Sequence, residues 1–224
     1  MSGIINTKVM KDFDKQYWDK NYSEPKTMDC IGNSKQHINY IKSVFELELI
    51  DISSIVDFGF GYGYLFQGLL KKFLPYKALG IEPSKYAYEK ARSRKLKVVE
   101  SMKLNLLNED LLSWCHREDS KKNQFDLGIC TSVFQYLSEE ELKVIIPIIS
   151  RRVKYLYLTV PTDIELKRQI EELSFKDEYA IHRSRDFYRN LLEKNFSNVS
   201  SKIWESKFYF NEETTLFTDL LYRS

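Results

Sequence analysis

Three glycines alternate with aromatic residues in the stretch VDFGFGYGYL, which runs from Val56 to Leu65. The chain of 224 residues contains only 8 glycines, so three of them at alternate positions indicate a local requirement. Glycine has no Cβ atom and adopts positive φ without steric cost. A loop of this kind therefore lets a flat, polar ligand lie directly against backbone peptide groups.

The residues beside these glycines indicate what kind of ligand the loop suits. A dinucleotide-binding loop reads G-x-G-x-x-G/A, and its small sixth residue allows the helix to pack on the strand. Here the sixth position is the bulky Tyr64, and Asp57 precedes the glycines. A carboxylate repels a pyrophosphate but attracts an ammonium or sulfonium cation. The loop therefore favours a cationic ligand and disfavours the rival interpretation, a dehydrogenase that uses NAD.

The segments around this loop predict an α/β fold. Short apolar runs alternate with amphipathic segments of helical period. The predicted strands are 53–58, 76–81, 102–107, 125–134 and 153–160, and the predicted helices are 34–47, 64–74, 84–94 and 185–194, with one more after Ser138. Repeated βαβ units predict a Rossmann-like, doubly wound and mostly parallel seven-stranded sheet with helices on both faces.

Two further patterns refine this fold. Segments 198–204 and 215–222 have strand-like composition and predict an antiparallel hairpin at the C-terminal edge of the sheet. Ser138 and Glu141 have the S-x-x-E spacing of a capping box. Pro147 is expected to end or kink the helix that this box begins.

Composition and the lack of linker sequences predict one soluble domain. No repeat, Gly/Ser linker or Pro-rich tract divides the chain, so residues 1–224 are expected to form a single domain, with an N-terminal lid segment at 1–35 and a core at 36–224. No apolar window has the length of a signal peptide or a membrane span. We therefore expect no membrane partner, whereas the oligomeric state has no signature in the sequence.

Charge and cysteine content narrow the partners and the compartment. Lys and Arg number 34 against 32 Asp and Glu, a net charge of +2, which is too small for the basic field that nucleic-acid binders use. The three cysteines, Cys30, Cys115 and Cys130, lack the spacing of a zinc site or a disulfide scaffold. We therefore expect no metal, no nucleic acid and a cytoplasmic location.

From about Ser34 to its end, the chain resembles the class I S-adenosylmethionine-dependent methyltransferases. VDFGFGYGY is similar to the first motif of that family, which lines the methionine and ribose parts of S-adenosylmethionine, the cofactor that becomes S-adenosylhomocysteine. The resemblance implies that five residues of this motif contact the cofactor, namely Asp57, Gly59, Phe60, Gly61 and Gly63.

The resemblance extends to residues that would hold the ribose and the adenine. Glu82 in LGIEPS, followed by Pro83, is similar to the acidic residue that accepts both ribose hydroxyls. Asp110 resembles the acidic residue that faces the adenine amino group, and Leu111 would supply a backbone N–H to the ring. The separation of Asp110 from Glu82 fits one crossover of roughly 30 residues, whereas Glu100 would be too close.

Two more segments carry the resemblance. FDLGICTSVFQYLSEEEL is similar to the strand-four motif of the small-molecule branch, in which Thr131 and Ser132 lie beside the cofactor. YWDKNY resembles the short helix that many of these enzymes fold over the cofactor as a lid, which would place Tyr17, Trp18 or Tyr22 near its methionine end. Equally, these aromatic residues could simply pack on the sheet.

Methyl transfer from a sulfonium requires alignment of nucleophile, methyl group and sulfur more than it requires a base. A general base matters for a hydroxyl or ammonium acceptor and not for a thiol or carboxylate. His182 and Tyr136 are the candidate catalytic residues, although His182 could instead pack at a helix start and Tyr136 could be a structural aromatic. His37 is expected to be a surface or packing residue, and His116 is expected to be solvated.

The absence of one sequence motif predicts the class of methyl acceptor. No Asn-Pro-Pro-Tyr run follows predicted strand four, where the chain reads TSVFQY, and that run is the family signature for methylating planar amide or base nitrogens. Together with the small net charge, this favours an O or N nucleophile of a small molecule. A protein side chain, with segment 208–210 contacting a peptide, and a non-catalytic module that binds S-adenosylmethionine stay open as alternatives.

Overall fold

A computed structural model describes residues 13–21, 31–117, 123–221 and 223–224. The predictions that concern Tyr22, Cys30 and Tyr222 lie outside the described residues. Within the described part of the chain, no helix is long and apolar enough to cross a membrane.

Helices and strands alternate along the described chain. The helices are α1 Lys15–Asn21, α2 Ser34–Leu47, α3 Tyr64–Phe73, α4 Lys85–Arg92, α5 Leu111–His116, α6 Glu139–Ser150, α7 Asp163–Leu173 and α8 Arg185–Leu192. The strands are β1 Ser54–Phe58, β2 Lys77–Ile81, β3 Lys103–Leu107, β4 Phe125–Thr131, β5 Val153–Thr159, β6 Phe196–Ser200 and β7 Ile203–Ser206. The seven described strands form one sheet in the order β3-β2-β1-β4-β5-β7-β6, which confirms the predicted fold class.

The described residues fall into two compact units. The first unit comprises residues up to 47 together with 51–114, and the second comprises 48–50 together with 115–224. In the first unit, β1 pairs with β2 and β2 with β3, in parallel. In the second unit, β5 is parallel to β4 and antiparallel to β7, which is antiparallel to β6. Every residue of β1 is buried, as expected for a strand covered on both faces.

The glycine loop follows β1 directly and needs its glycines for their backbone conformation. Gly59, Gly61 and Gly63 have φ of 105°, 53° and 75°, a region that residues with a Cβ rarely adopt. The N–H of Gly59 donates to the carbonyl of Ile81 at 2.8 Å, and Gly63 occupies the N-cap of α3. The five residues between Phe58 and Tyr64 therefore connect strand β1 directly to helix α3.

The side chain of Phe60 anchors this loop to the sheet. It is buried, and its Cδ1 atom lies 2.6 Å from the position that a Cβ on Gly80 would occupy. The Cδ2 atom of Leu106 lies 2.9 Å from the same position. Gly80 in β2 therefore leaves the space that Phe60 fills.

The antiparallel edge exists, but the predicted location of its hairpin is wrong. Strands β6 and β7 both lie within 196–206 and are joined by the turn residues Ser201 and Lys202. The described residues of 215–221 form no strand. The segment predicted as one strand contains the polar turn Ser-Ser-Lys at its centre, and this turn divides it between two strands.

Pro147 does not end helix α6, which was one of the two effects expected of it. The capping box at its start is confirmed, since Ser138 and Glu141 exchange both hydrogen bonds, but the helix continues past Pro147 to Ser150. A proline inside a helix costs about 3 kcal/mol, whereas burial of one large aliphatic side chain contributes about 1.5 to 3 kcal/mol. Helix α6 buries four such side chains, Leu142, Ile145, Ile146 and Ile149, which outweigh the proline.

Two helices have no counterpart among the predicted elements, and strand β4 is three residues shorter than predicted. Helix α7 begins with a second capping box, formed by Thr162 and Glu165, which was legible in the sequence. Helix α5 has only six residues, too few for a periodic pattern. Strand β4 ends at Thr131, and a 3-10 turn follows at Phe134–Tyr136.

Substitution of Gly80 tests how firmly the loop is anchored. Gly80→Ala should lower the free energy of unfolding by about 1 to 3 kcal/mol, because the new methyl group overpacks against the Phe60 ring. In a Phe60→Leu background the same change should cost less, since the shorter side chain leaves room. Urea denaturation of the four proteins measures this coupling, and strictly additive costs would contradict the packing described.

Candidate functional site

A buried carboxylate lies at the centre of the candidate site. Glu82 follows β2 and is only 4% exposed. Its Oε2 atom accepts the backbone N–H of Gly61 at 2.8 Å, and its Oε1 atom accepts the backbone N–H of Ser84 at 2.9 Å. The glycine loop and the start of α4 are thus both bound to one side chain.

A second buried carboxylate lies in the same unit. Asp57 is 2% exposed, and its Oδ1 atom has no hydrogen-bond partner. Burial raises the pKa of Asp57 well above its usual range, and the charge of Glu82 raises it further. Burial also raises the pKa of Glu82 to about 7, although the N–H groups of Ser84 and Gly61 oppose this shift. Two such groups are costly to ionise together, so this part of the site favours a cation.

Asp110 caps a helix in this structure. Its Oδ1 atom accepts the backbone N–H of Ser113 at 2.8 Å, and its Oδ2 atom accepts the Ser113 hydroxyl at 2.7 Å. Leu111 begins helix α5, and the first N–H groups of a helix have no acceptor within it. Asn108 connects this end of β3 to the Glu82 segment, because its Nδ2 atom donates to the carbonyls of Glu82 and Pro83 at 2.8 and 3.0 Å.

Helix α1 packs against the glycine loop. Tyr17 and Trp18 are buried in a cluster with Ala87 of α4. The Cη2 atom of Trp18 lies 3.3 Å from the position that a Cβ on Gly61 would occupy, and its ring centroid lies 4.6 Å from that of Tyr62. Helix α1 therefore lies beside the glycine loop in the first unit, whereas its role as a lid over the cofactor stays a prediction.

The side chain and the backbone of Phe60 face different surroundings. Because the ring is buried beside Phe66 and Tyr88, only the backbone of this residue is available to line a ligand site.

Thr131 and Ser132 lie in the second unit at the end of β4, where the N–H of Ser132 donates to the carbonyl of Thr159 at 2.8 Å. Ser132 has φ of 54°, a conformation that few residues with a Cβ adopt.

Tyr136 and the His182 segment meet in the second unit. The hydroxyl of Tyr136 donates to Oδ2 of Asp177 at 2.6 Å. The N–H of Ile181 donates to the carbonyl of Gln135 at 2.8 Å, and the Arg183 guanidinium donates to backbone carbonyls of the same turn. The side chain of His182 itself is exposed. The structure thus places the two catalytic candidates on adjoining segments without a described bond between their side chains.

No metal-binding cluster is found where the structure can be described, since no three His, Cys, Asp or Glu side chains in those residues are grouped to hold an ion. His37 is buried in α2 and His116 is exposed at the end of α5.

Residues 55–155 match the model of a protein family described as a methyltransferase domain. The matched residues span the glycine loop, Glu82 and strand β4, and the match supports the resemblance to the class I S-adenosylmethionine-dependent methyltransferases. The match supports a transferase activity with S-adenosylmethionine as the cofactor.

Solved structures of similar fold accompany this match. An S-adenosylmethionine-dependent methyltransferase from Clostridium acetobutylicum is 13% identical, with 85% of this chain and 96% of that chain covered and a TM-score of 0.59. The plantazolicin methyltransferase BpumL in complex with S-adenosylhomocysteine is 15% identical, with coverages of 86% and 70% and a TM-score of 0.59. The small RNA methyltransferase HEN1 is 19% identical, with coverages of 80% and 26% and a TM-score of 0.57. No curated protein matches the sequence.

Sequence reasoning missed two residues of the candidate site. Ser84 donates its N–H to Glu82, and its position two residues after the acid, before a helical segment, is the signal of an N-cap. Asn108 follows β3, but its side-chain bonds reach residues more than twenty positions away. Nothing local in the sequence marks such a bond.

Proposed function

We propose that this methyltransferase transfers the methyl group of S-adenosylmethionine to an O or N nucleophile of a small molecule. The observation that carries the proposal is the Glu82 carboxylate, buried beside the glycine loop and oriented by two backbone N–H groups. Each carboxylate oxygen has two lone-pair sites, so each can accept one ribose hydroxyl in addition to its backbone donor. Glu82 is thereby oriented before the cofactor arrives.

Asp57 would interact with the positive charge of the cofactor. The unpartnered Oδ1 atom and the raised pKa of Asp57 show a carboxyl group that gains from a nearby cation or hydrogen-bond donor. The cofactor supplies an ammonium group and a sulfonium group. Gly59, Gly61, Gly63 and the backbone of Phe60 would allow it to approach the peptide groups of the loop.

The adenine would lie beside Pro83 and the start of α5. The N–H of Leu111 is placed at the first turn of this helix, where it can donate to a ring nitrogen. Asp110 caps the same helix through both oxygens, and the second lone pair on each oxygen leaves it able to accept the adenine amino group as well. Thr131 and Ser132 complete the proposed set of cofactor residues, together with Tyr17 and Trp18 on α1.

The bound cofactor supplies an electrophilic methyl group and a neutral thioether as leaving group. The protein must align the acceptor with it and exclude water. When the acceptor is a hydroxyl or an amine, a proton must leave the nucleophile as the new bond to carbon forms. Tyr136, hydrogen-bonded to Asp177, and the exposed His182 are the proposed groups for this step.

The described contacts of the C-terminal segment favour a small molecule over a peptide. Phe210 stacks on Tyr155 with ring centroids 5.3 Å apart, and the Tyr209 hydroxyl donates to the carbonyl of Arg151 at 2.7 Å. Only Phe208 of this segment is prominently exposed, at 59%. The segment is therefore largely engaged in internal packing, which leaves little of it to contact a peptide. The net charge of +2 gives no support to an RNA acceptor.

Replacement of Glu82 tests the cofactor site. Glu82→Ala should weaken S-adenosylhomocysteine binding by about 3 to 6 kcal/mol, because two hydroxyl bonds to a charged acceptor contribute about 1.5 to 3 kcal/mol each. Calorimetric titration measures the affinity, with NAD as a ligand that should not bind. Glu89→Ala, at an exposed glutamate of α4, is the matched control and should bind normally. Equal affinity in both variants would remove Glu82 from the site.

Binding should also depend on pH. The pKa of Glu82 is about 7 in the free protein, and the ionised form accepts ribose hydroxyls more strongly than the protonated form. Affinity for S-adenosylhomocysteine should therefore increase as pH rises through about 7, and binding at that pH should release protons. Titrations in two buffers of different ionisation enthalpy count these protons. Glu82→Ala should abolish the dependence centred near 7, and proton uptake by the wild-type protein would contradict the assignment.

The acceptor class can be identified by transfer of a labelled methyl group. The protein is incubated with labelled S-adenosylmethionine and, separately, with a small-metabolite extract, denatured cellular protein and small RNA. Label should appear in the metabolite fraction and decrease in the Tyr136→Phe variant if that hydroxyl assists the reaction. Label in protein or RNA would overturn the small-molecule proposal, and binding without any transfer would favour the non-catalytic module.

A further inference from the structure

Ser84 is fully buried, and its hydroxyl connects two parts of the first unit. The Oγ atom accepts the indole Nε1–H of Trp18 at 2.8 Å and the backbone N–H of Ala87 at 3.3 Å. The same hydroxyl donates to the carbonyl of Phe13 at 2.6 Å. One donor and two acceptor sites are the full capacity of a hydroxyl, and two of the three bonds reach Trp18 of α1 or Phe13, which lies two residues before this helix.

The backbone of Ser84 is engaged on the other side. Its N–H donates to Oε1 of Glu82, whose Oε2 accepts the N–H of Gly61. The ring of Trp18 in turn lies against Gly61. Contacts therefore run in a closed circuit from Trp18 to Ser84, to Glu82, to Gly61 and back to Trp18.

Helix α1 depends on such contacts for its position. It has seven residues, and a helix of this length is not stable in water by itself. Its described contacts with the rest of the unit include the aromatic cluster around Tyr62, an exposed bond from the Tyr86 hydroxyl to Asp19, and the buried bonds of Ser84. A buried hydrogen bond resists competition from water better than an exposed one.

We propose that Ser84 is a positioning residue that fastens α1 over the glycine loop through Trp18 and holds the Glu82 carboxylate in place through its own N–H. It therefore controls how fast the bound cofactor leaves. This inference rests on the proposed function in so far as Glu82 and the loop hold the cofactor. Ser84 acts through Trp18 and Glu82 and need not contact the cofactor itself.

The first test removes the Ser84 hydroxyl and compares the effect with the loss of a similar helix-capping hydroxyl elsewhere in the chain. Ser184 caps α8 by accepting the N–H of Phe187 at 3.2 Å, so Ser184→Ala loses a helix-capping bond of the same kind but has no link to α1. Cleavage by trypsin after the exposed Lys15 and Lys20 reports release of α1 without any ligand. Ser84→Ala should be cut at least tenfold faster than wild type, because its hydroxyl makes two of the hydrogen bonds that hold α1 and Phe13, and Ser184→Ala should be cut at the wild-type rate.

Dissociation of S-adenosylhomocysteine gives the second readout. Its rate, measured by stopped-flow displacement, should rise about tenfold in Ser84→Ala and stay unchanged in Ser184→Ala. A purely structural loss of one helix cap would affect thermal stability in both variants alike and would leave this rate alone.

Trp18→Phe tests the same bond from the other side. It keeps an aromatic ring over Gly61 but removes the indole N–H, so cleavage after Lys15 and Lys20 should again accelerate. Ser84→Ala should then add less than it does in the wild-type protein, because the bond to Trp18 is already absent while the bond to the Phe13 carbonyl is still there to be lost. Effects that multiply independently would overturn the proposal.

These outcomes separate the present inference from the proposed function. Wild-type cleavage rates in Ser84→Ala would refute the fastening role even if S-adenosylhomocysteine binds normally. If Ser84→Ala does not fold, an unchanged cleavage rate in Trp18→Phe refutes it and an increased rate supports it. If the wild-type protein does not bind S-adenosylhomocysteine, the proposed site and the control of cofactor release both fail, while the cleavage rates still decide whether Ser84 holds α1.

Discussion

The burial of one carboxylate, that of Glu82, is the constraint on which the candidate site depends. Removal of a charge from water costs several kcal/mol in a protein, and two hydrogen bonds to a charged group return about 1.5 to 3 kcal/mol each. The remaining deficit is visible in the pKa of about 7. The free protein therefore retains an incompletely solvated acceptor between the glycine loop and α4, and hydroxyl donors from a ligand would complete its solvation.

The sequence was sufficient for the features that depend on local chemistry. Buried parallel strands are continuous apolar runs, and the glycines after β1 report positive φ, so the βαβ order and the loop followed directly. The capping box at Ser138 was equally legible, because its two bonds lie within four residues. For the same reason Asp57 and Glu82 could be identified as acids placed directly at strand ends.

Features that depend on distant partners were not predictable in this way. The bond between Trp18 and Ser84 joins residues 66 positions apart, and no pattern near either residue announces it. Asp110 was assigned by resemblance to an adenine contact, while its role as a helix cap depends on Ser113 turning back toward it. The hairpin and Pro147 show a second limit of local patterns. Turn residues divided a segment with strand-like composition, and burial of core side chains outweighed the tendency of proline to end a helix. Whether burial outweighs the local conformational preference of a segment depends on contacts that exist only in the folded chain.

The buried ring of Phe60 limits which segments of the first unit can move. Because the ring fills the space beside Gly80, the glycine loop cannot lift without withdrawing an aromatic side chain from the core, which costs about 3 kcal/mol or more. The described contacts of helix α1 lie instead at the loop and α4. If α1 controls release of the cofactor as proposed, residence time of a ligand and thermodynamic stability of the unit depend on different residues. Selection can tune one of these properties through residues 13–21 with little effect on the other.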